Sequence, residues 1–456
     1  MMGTRRVWLA VAAALATMAA AGPAAAADPP DLVDAIRTLD AGNAATSLAT
    51  VQSYALAGNI TAENELGWAY ETGHGVPLDY GEAVKWYRLA ALSGSASDQN
   101  NLGRLYEAGL GVPRNYAEAE KWFRLSALQG FPMGEYDLGF LHDRGLGTVP
   151  PFAETVALYK RAADQGLAIA QFQYALCAQN GHVPGVAGAA VALDYLTRAA
   201  NQGYTPALDA LGWLNEQGRA GPRNYLLAFE LYRRAAEAGN GNAMVHLGAL
   251  YEQGHGVARS YAEAIRWYRR AVDKNMPQAA YRLGLIAELG LADRVRNDAD
   301  AVKWIRMAAD AGNLAEAQNH LGMLYDQGRG VAADPTEAAR WFRRAAAQNL
   351  AVAMANLARA YQAGRGVPAD PAEARRWQTL ATTHGYKPPA AASAGPEAPA
   401  SPITDLLSDS GAAAAGPSSA ACRQLQADVD QCAQQASGST QCFETRMNTY
   451  RVAGCH

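Results

Sequence analysis

The sequence predicts an all-α protein: an α-solenoid, a right-handed superhelix of about nine helix-turn-helix repeats of ~36 residues, with a small disulfide-stapled helical hairpin at the C-terminus. Two observations predict the solenoid. One pattern of residues returns along the middle of the chain at intervals of 36 to 38 residues, and each copy holds two stretches with the i, i+4 apolar spacing of a helix. A third observation, four cysteines within the last 35 residues, predicts the hairpin.

The repeated pattern is clearest in its first two copies. Residues 66–94 read LGWAYETGHGVPLDYGEAVKWYRLAALSG, and residues 102–130 read LGRLYEAGLGVPRNYAEAEKWFRLSALQG. We number each copy from the leucine that begins it, which is position 0. Position 0 is occupied by Leu66, Leu102, Leu138, Tyr174, Leu211, Leu247, Leu283, Leu321 and Leu357. Matching residues at near-equal intervals indicate one structural unit that is repeated nine times.

Each unit is predicted to form two helices joined by a glycine turn. In the first unit, Gly67 lets a neighbouring helix approach closely, because glycine has no Cβ. Gly73 and Gly75 can end the first helix, and Asp79 is suited to begin the second. The aromatic position of the second helix, Trp86 in this unit, is expected in the core. One hairpin cannot bury both of its apolar stripes, so successive hairpins are expected to stack.

The N-terminal segment has the features of a secretory signal peptide. Residues 1–27 combine a basic start at Arg5 and Arg6, a short apolar stretch, and small residues before Asp28. Its removal would change the formal net charge from −4 to −6, because the segment holds two arginines and no acidic residue. We expect the mature protein in the periplasm, with secretion as the alternative. An uncleaved membrane anchor is the other interpretation of residues 1–27.

The remaining chain divides into four predicted regions. Residues 28–60 space apolar side chains helically without the repeat motif, and are expected to form an N-terminal helical cap. Residues 61–386 hold the nine repeats. Residues 387–420 are rich in Pro, Ala, Ser and Gly, and are predicted to be a disordered linker. Residues 421–456 are expected to form the cysteine-rich hairpin.

The cysteine-rich segment is too short to build a sufficient core without disulfide bonds. Two short helices folded back on each other would bring Cys432 near Cys442 and Cys422 near Cys455. This nested pairing is one of three connectivities that four cysteines allow. Zinc binding is the rival interpretation, although the segment lacks the C-x-x-C spacing of metal sites.

The composition excludes several classes of function. The formal net charge of −4 lacks the basic surplus of a nucleic-acid-binding domain, so no nucleic-acid partner is expected. Beyond the N-terminal segment, no apolar run reaches the ~18 residues of a membrane span. The motifs H-E-x-x-H, G-x-S-x-G and G-x-x-x-x-G-K are missing. We therefore expect no catalytic residues, no metal site and no cofactor.

The repeated residues resemble the Sel-one-like repeat family, a branch of the tetratricopeptide-like superfamily. The resemblance rests on LG-x-x-Y-x-x-G-x-G-V, then D-x-x-E-A, then W-[YF]-x-x-A-A and a glycine, and covers roughly residues 58–386. It implies a scaffold or adaptor that presents a concave groove to other proteins. Exported bacterial members are associated with the cell envelope. One branch linked to β-lactam binding has paired cysteines in its repeats, which this chain lacks.

The resemblance also implies that the first helix of each hairpin lines the groove. Residues two before and two after position 0 (positions −2 and +2) are then expected to point into it, where large aromatic side chains are typical interface anchors. The candidate partner-binding residues are Asn64, Trp68, Asn100, Arg104, Tyr136, Phe140, Trp213, Tyr281 and Asn319. Packing between hairpins is the other interpretation of the aromatic members. Position +5 is acidic in most units, and the favoured interpretation there is a residue that the repeat itself requires.

The expected function is a periplasmic scaffold or adaptor that binds a protein or peptide partner, with a role in envelope signalling or assembly. The alternative is a cell-wall or glycan-binding protein or hydrolase, because sugars also stack on aromatic rings. The sequence leaves the identity of the partner and the oligomeric state open.

Overall fold

The computed structural model describes residues 28–387, apart from residues 41–43, 184–187 and 293–294. The predicted signal peptide, nearly all of the predicted linker and the cysteine-rich hairpin with Cys422, Cys432, Cys442 and Cys455 lie outside the described residues. The described residues form twenty α-helices and no strands. None of these helices is both long and apolar enough to cross a membrane.

The chain divides into two compact units, Met1–Ala162 (unit 1) and Ala163–His456 (unit 2). The segment predicted as the N-terminal cap contains α1 (Pro30–Asp40) and α2 (Ala44–Leu56). The hairpins that follow in unit 1 are α3 (Ile60–Thr72) with α4 (Tyr80–Leu92), α5 (Ala96–Ala108) with α6 (Tyr116–Leu128), and α7 (Pro132–Asp143) with α8 (Phe152–Asp164), whose last two residues belong to unit 2.

Unit 2 holds six further hairpins. They are α9 (Ala168–Gln179) with α10 (Gly188–Asn201), α11 (Thr205–Glu216) with α12 (Tyr225–Glu237), α13 (Gly241–Gln253) with α14 (Tyr261–Val272), α15 (Pro277–Leu289) with α16 (Asp298–Asp310), α17 (Ala315–Gln327) with α18 (Pro335–Ala346), and α19 (Ala351–Ala363) with α20 (Pro371–Thr383). The predicted all-α solenoid of helix-turn-helix repeats is confirmed.

The helix ends lie where the turn residues predict them. The first helix of the first hairpin ends at Gly73, whose φ of 69° is the left-handed conformation that glycine adopts without strain. The second helix begins after Asp79, whose carboxylate accepts hydrogen bonds from the backbone N–H groups of Gly81 and Glu82. These contacts satisfy donors and acceptors that a helix terminus otherwise leaves unpaired.

The core of each hairpin forms where the two helices meet. A Cβ on Gly67 would lie 2.4 Å from the ring of Tyr87, which is fully buried on the second helix of the same hairpin. The close approach predicted for this glycine is therefore confirmed. The aromatic position of the second helix is buried or half-buried in every repeat, as expected of core residues. Its occupants are Trp86, Trp122, Leu158, Tyr195, Leu231, Trp267, Trp304, Trp341 and Trp377.

Candidate partner-binding surface

Position −2 of the first helices contacts the next repeat at several places within each unit. Within unit 1, the amide of Asn64 donates to the Oδ1 of Asp98 at 2.5 Å, and the amide of Asn100 donates to the Oδ2 of Asp137 at 2.7 Å. Burial raises the pKa of Asp98, and raises that of Asp137 to about 7, although each carboxylate accepts a hydrogen bond from an asparagine. Both pairs join neighbouring hairpins through side chains that lie at the interface between them.

The same position makes equivalent contacts in unit 2. Asp209 lies 2.9 Å from the ring Nδ1 of His246, and the hydroxyl of Tyr281 lies 3.3 Å from the Nδ1 of His320. In the next repeat, Asn319 accepts a hydrogen bond from the amide of Asn356. Position −2 is thus a site of contact between repeats in both units.

The burial of position −2 contradicts part of the predicted partner-binding groove. Asn100, Tyr136, Tyr281 and Asn319 were expected to face a partner, but their side chains are buried. Tyr136 stacks on Phe140 with ring centroids 5.9 Å apart and also contacts the ring of Tyr159. Asn100, Tyr281 and Asn319 contact the next hairpin, whereas Tyr136 is buried within its own hairpin. Their assignment to partner binding does not fit their burial.

The acidic residues at position +5 stabilise the repeat, as the favoured interpretation holds. In four hairpins the carboxylate accepts a hydrogen bond from the buried tyrosine of the second helix. The pairs are Tyr87 with Glu71, Tyr159 with Asp143, Tyr232 with Glu216, and Tyr268 with Glu252. Where that tyrosine is replaced, a basic residue of the next repeat pairs with the acid instead. These pairs are Arg144 with Glu107, Arg329 with Glu288, and Arg365 with Asp326.

Position +2 keeps accessible surface in many repeats, in contrast to position −2. In unit 1, Trp68 and Phe140 are half-buried and Arg104 is exposed, with a guanidinium nitrogen 4.0 Å from the carboxylate of Glu71. The ring of Trp68 lies 5.2 Å from that of His74, which occupies position +8 in the turn. The turn residue thus extends the surface that position +2 begins.

Unit 2 repeats this pairing around Trp213, which is half-buried. The guanidinium of Arg219, at position +8 of the same repeat, lies 4.8 Å from the centre of the indole ring, a cation–π distance. The two side chains line a depression of about 330 Å³ whose other walls come from α9, α10 and α11. Those walls are formed by Gln179, Asn180, Ala189, Leu193 and Leu214.

Position +2 was expected at this surface from helical spacing, whereas position +8 was not. A signal for it is present, because His74, Arg219, His255, Arg329 and Arg365 all occupy position +8 in turns. Position +8 was interpreted only as part of the turn, because helical spacing does not predict where the side chain of a turn residue points. Among the described residues, no group of three or more His, Cys, Asp or Glu side chains is placed to hold a metal ion.

The chain matches the family model described as "Sel1 repeat" in nine consecutive segments that together run from residue 60 to 386. It is 31% identical to a protective antigen of uropathogenic Escherichia coli with an SLR fold, covering 77% of this chain and 86% of the antigen, with a TM-score of 0.48. It is also 31% identical to a Sel1 repeat protein from Oxalobacter formigenes, covering 53% of this chain and 99% of that protein, with a TM-score of 0.50.

A curated relative shares a much shorter stretch. Chitin synthase regulatory factor 3 of Schizosaccharomyces pombe is 47% identical over 53 residues, which are 12% of this chain and 6% of the yeast protein. Proteins built from such repeats are generally interaction scaffolds without catalytic activity, and the fold suggests protein partners. The nine matched segments cover more than half of the chain and coincide with the nine hairpins. The chain therefore belongs to the Sel1 repeat family of the tetratricopeptide-like superfamily.

Proposed function

We propose that this protein is a periplasmic interaction scaffold that binds a protein or peptide partner along positions +2 and +8 of its repeats. One observation carries the proposal. Positions −2 and +5 are occupied by contacts within the stack, whereas the indole of Trp213 and the guanidinium of Arg219 line an open depression. Tryptophan and arginine are also the residue types most enriched among binding hot spots.

The periplasmic location is supported by the composition of residues 1–27, which has the charge and apolar pattern of a signal peptide. Secretion is the alternative location. Expression in a Gram-negative host, fractionation and N-terminal sequencing of the recovered protein test it. We expect a mature N-terminus at Asp28 in the periplasmic fraction. Recovery of the chain with residues 1–27 attached, in the cytoplasm or membrane, would contradict the proposed location.

The binding surface is tested by capture of partners from envelope extract on immobilised protein. We expect the wild-type chain to retain a specific protein and the double variant Trp213→Ala/Arg219→Ala to retain at least about tenfold less, the usual effect of removing a hot spot. Leu226→Ala is the matched control, because this leucine of α12 is exposed and lies outside the depression. Unchanged capture by the double variant, with an unchanged melting temperature, would contradict the assignment.

A glycan-binding role is the second candidate. The depression places the amides of Gln179 and Asn180 around Trp213, and an indole beside amide groups also suits a sugar ring. Binding to a glycan array that Trp213→Ala abolishes, together with no protein captured from the extract, would favour this alternative.

A further inference from the structure

A second depression in unit 2 has a different chemical character. It encloses about 280 Å³ between α17, α18 and α19, and two arginines, Arg359 at position +2 and Arg365 at position +8, line it. We propose that this depression binds the C-terminal carboxylate of a partner polypeptide and holds the partner's last side chain against an apolar wall. This proposal rests on the scaffold function and adds the chemical class of the group that is recognised.

The charges of the depression leave one arginine without an acidic partner. Asp326 pairs with Arg365 at 2.9 Å, and its backbone carbonyl accepts a second hydrogen bond from the same guanidinium. Among the described residues, no carboxylate forms an ion pair with Arg359. In unit 1, by contrast, the arginine at the same position, Arg104, lies 4.0 Å from the acid of the preceding repeat. Two guanidinium groups and one carboxylate give the depression a surplus positive charge, which favours an anionic ligand.

The guanidinium of Arg359 is held in place by two buried amides. One nitrogen of Arg359 donates to the Oδ1 of Asn356, and the amide nitrogen of Asn356 donates to the Oδ1 of Asn319 at 2.8 Å. Asn356 and Asn319 are 4% and 0% exposed, so the hydrogen bond between them is shielded from water. This arrangement fixes one edge of the guanidinium. A carboxylate can then bind to a preorganised group at a smaller entropic cost.

The walls of the depression distinguish a terminal residue from inorganic phosphate. Pro335, Ala338, Ala339, Phe342, Ala360 and Ala363 form an apolar surface beside the arginines. Phosphate has no group to place against this surface, whereas the last residue of a polypeptide has both a carboxylate and a side chain. The volume is also slightly below the ~300–1,000 Å³ of most small-molecule sites, as a single terminal residue requires.

The test uses the full chain and N-acetylated tripeptides Ac-Ala-Ala-X, in which X is alanine, valine, leucine or phenylalanine. Each peptide is titrated as the free acid and as the C-terminal amide by calorimetry, at concentrations up to about 5 mM. We expect at least one free acid to bind and its amide to bind about tenfold more weakly, because a charge-assisted bond is lost. Arg359→Gln should lower the affinity for the acid to that for the amide.

The matched control is Arg340→Gln, which removes an arginine of α18 that is exposed, pairs with Glu337 and lies outside the depression. This variant should bind the acid as the wild type does. The proposal would be overturned if the acids and amides bound equally, or if no acid bound. It would also be overturned by an unchanged affinity in Arg359→Gln or by an equal loss in Arg340→Gln. Tighter binding of inorganic phosphate than of any acid would overturn it as well. If these titrations fail while capture still depends on Trp213, the scaffold function stands and only the carboxylate assignment is lost.

Discussion

A single carboxylate, that of Glu120, organises the turn between α7 and α8. Its side chain is buried and accepts hydrogen bonds from the backbone N–H and the hydroxyl of Thr148 and from Arg124, and it lies 3.4 Å from the ring of His142. Burial alone would raise the pKa of Glu120, but these bonds outweigh burial and hold it at about 2. The ionised form is therefore the one that stabilises the folded chain.

Replacing this glutamate should destabilise unit 1 at neutral pH. We expect Glu120→Ala to lower the free energy of unfolding by about 2 kcal/mol, because buried donors lose a charged acceptor. The effect should be full above the ordinary pKa of 4.5 and should fade as the pH decreases toward 2. Urea unfolding at several pH values measures it. Glu118→Ala removes a half-buried acid of the same helix that pairs with the exposed Lys121, and should change stability by less than about 0.5 kcal/mol. An equal loss would contradict this account.

Asp137 has the opposite pH dependence. Burial raises its pKa to about 7 from an ordinary value of 3.8, so the folded chain binds a proton that the unfolded chain has released. The contribution of this group to stability is therefore full below pH 3.8 and is lost as the pH rises through about 7.

The neutral variant Asp137→Asn tests this assignment. It should raise the melting temperature relative to wild type at pH 8 and leave it nearly unchanged at pH 4, since asparagine keeps an acceptor for Asn100 without the charge. Thermal unfolding at the two pH values is the measurement. A variant that is destabilised more at pH 8 than at pH 4 would show that the ionised aspartate stabilises the fold.

At the scale of the element, the two glycines of a turn have different roles. The first glycine ends the helix that precedes the turn, as the sequence indicates. The second, Gly111 in the second hairpin, lies against the start of α4 in the preceding hairpin, where a Cβ would come within 2.2 Å of the carbonyl oxygen of Tyr80. Equivalent contacts bring Gly256 to Tyr225, and Gly330 to Asp298. The turn is thus part of the contact between repeats.

Two glycines of unit 1 separate this clash from backbone strain. Gly111 has a φ of 69° and Gly130 a φ of 74°, but no atom lies within 4 Å of a Cβ built on Gly130. We expect Gly130→Ala to cost about 1–2 kcal/mol, the strain of a left-handed alanine. Gly111→Ala should cost more by at least ~2 kcal/mol, because backbone must also move. Urea unfolding of both variants decides the matter, and equal losses would rule out a steric contact between hairpins.

At the scale of the whole molecule, stability depends on stacking between neighbours. A hairpin inside a stack buries both sides, whereas a terminal hairpin has one neighbour. In unit 2, α18 buries six residues, whereas α20 buries two, Ala374 and Ala381. The last described helix is therefore held by less buried surface than the second helix of the earlier hairpins in unit 2.

Hydrogen exchange should reveal this gradient. We expect the amides of α20 to exchange faster than those of α14 at equivalent positions, such as Ala381 and Ala271, because α20 buries fewer residues and its local opening needs fewer contacts to break. Exchange followed by mass spectrometry of the full chain measures the difference. Equal protection across unit 2 would mean that the unit opens as one cooperative body.

The sequence by itself determined the helices, their turns and the residues that fill each hairpin. Those features follow from local rules, since helical spacing selects the buried side of a helix and glycine or aspartate selects its ends. The family followed from the recurrence of the motif. The partly accessible position of Trp213 could also be predicted in this way, because position +2 can be counted from the motif leucine.

Only the tertiary structure decided which side chains the next repeat covers. Tyr281 and Asn319 read from the sequence as groove residues, yet the following hairpin buries them. The sequence predicts Arg219 and Arg365 only as turn residues, yet each lines one of the two depressions of unit 2. The physical reason is that exposure in a stack depends on the distance and angle between hairpins, and many pairwise contacts set these quantities together. No single helix encodes that geometry, so the accessible surface is set only when the repeats are packed.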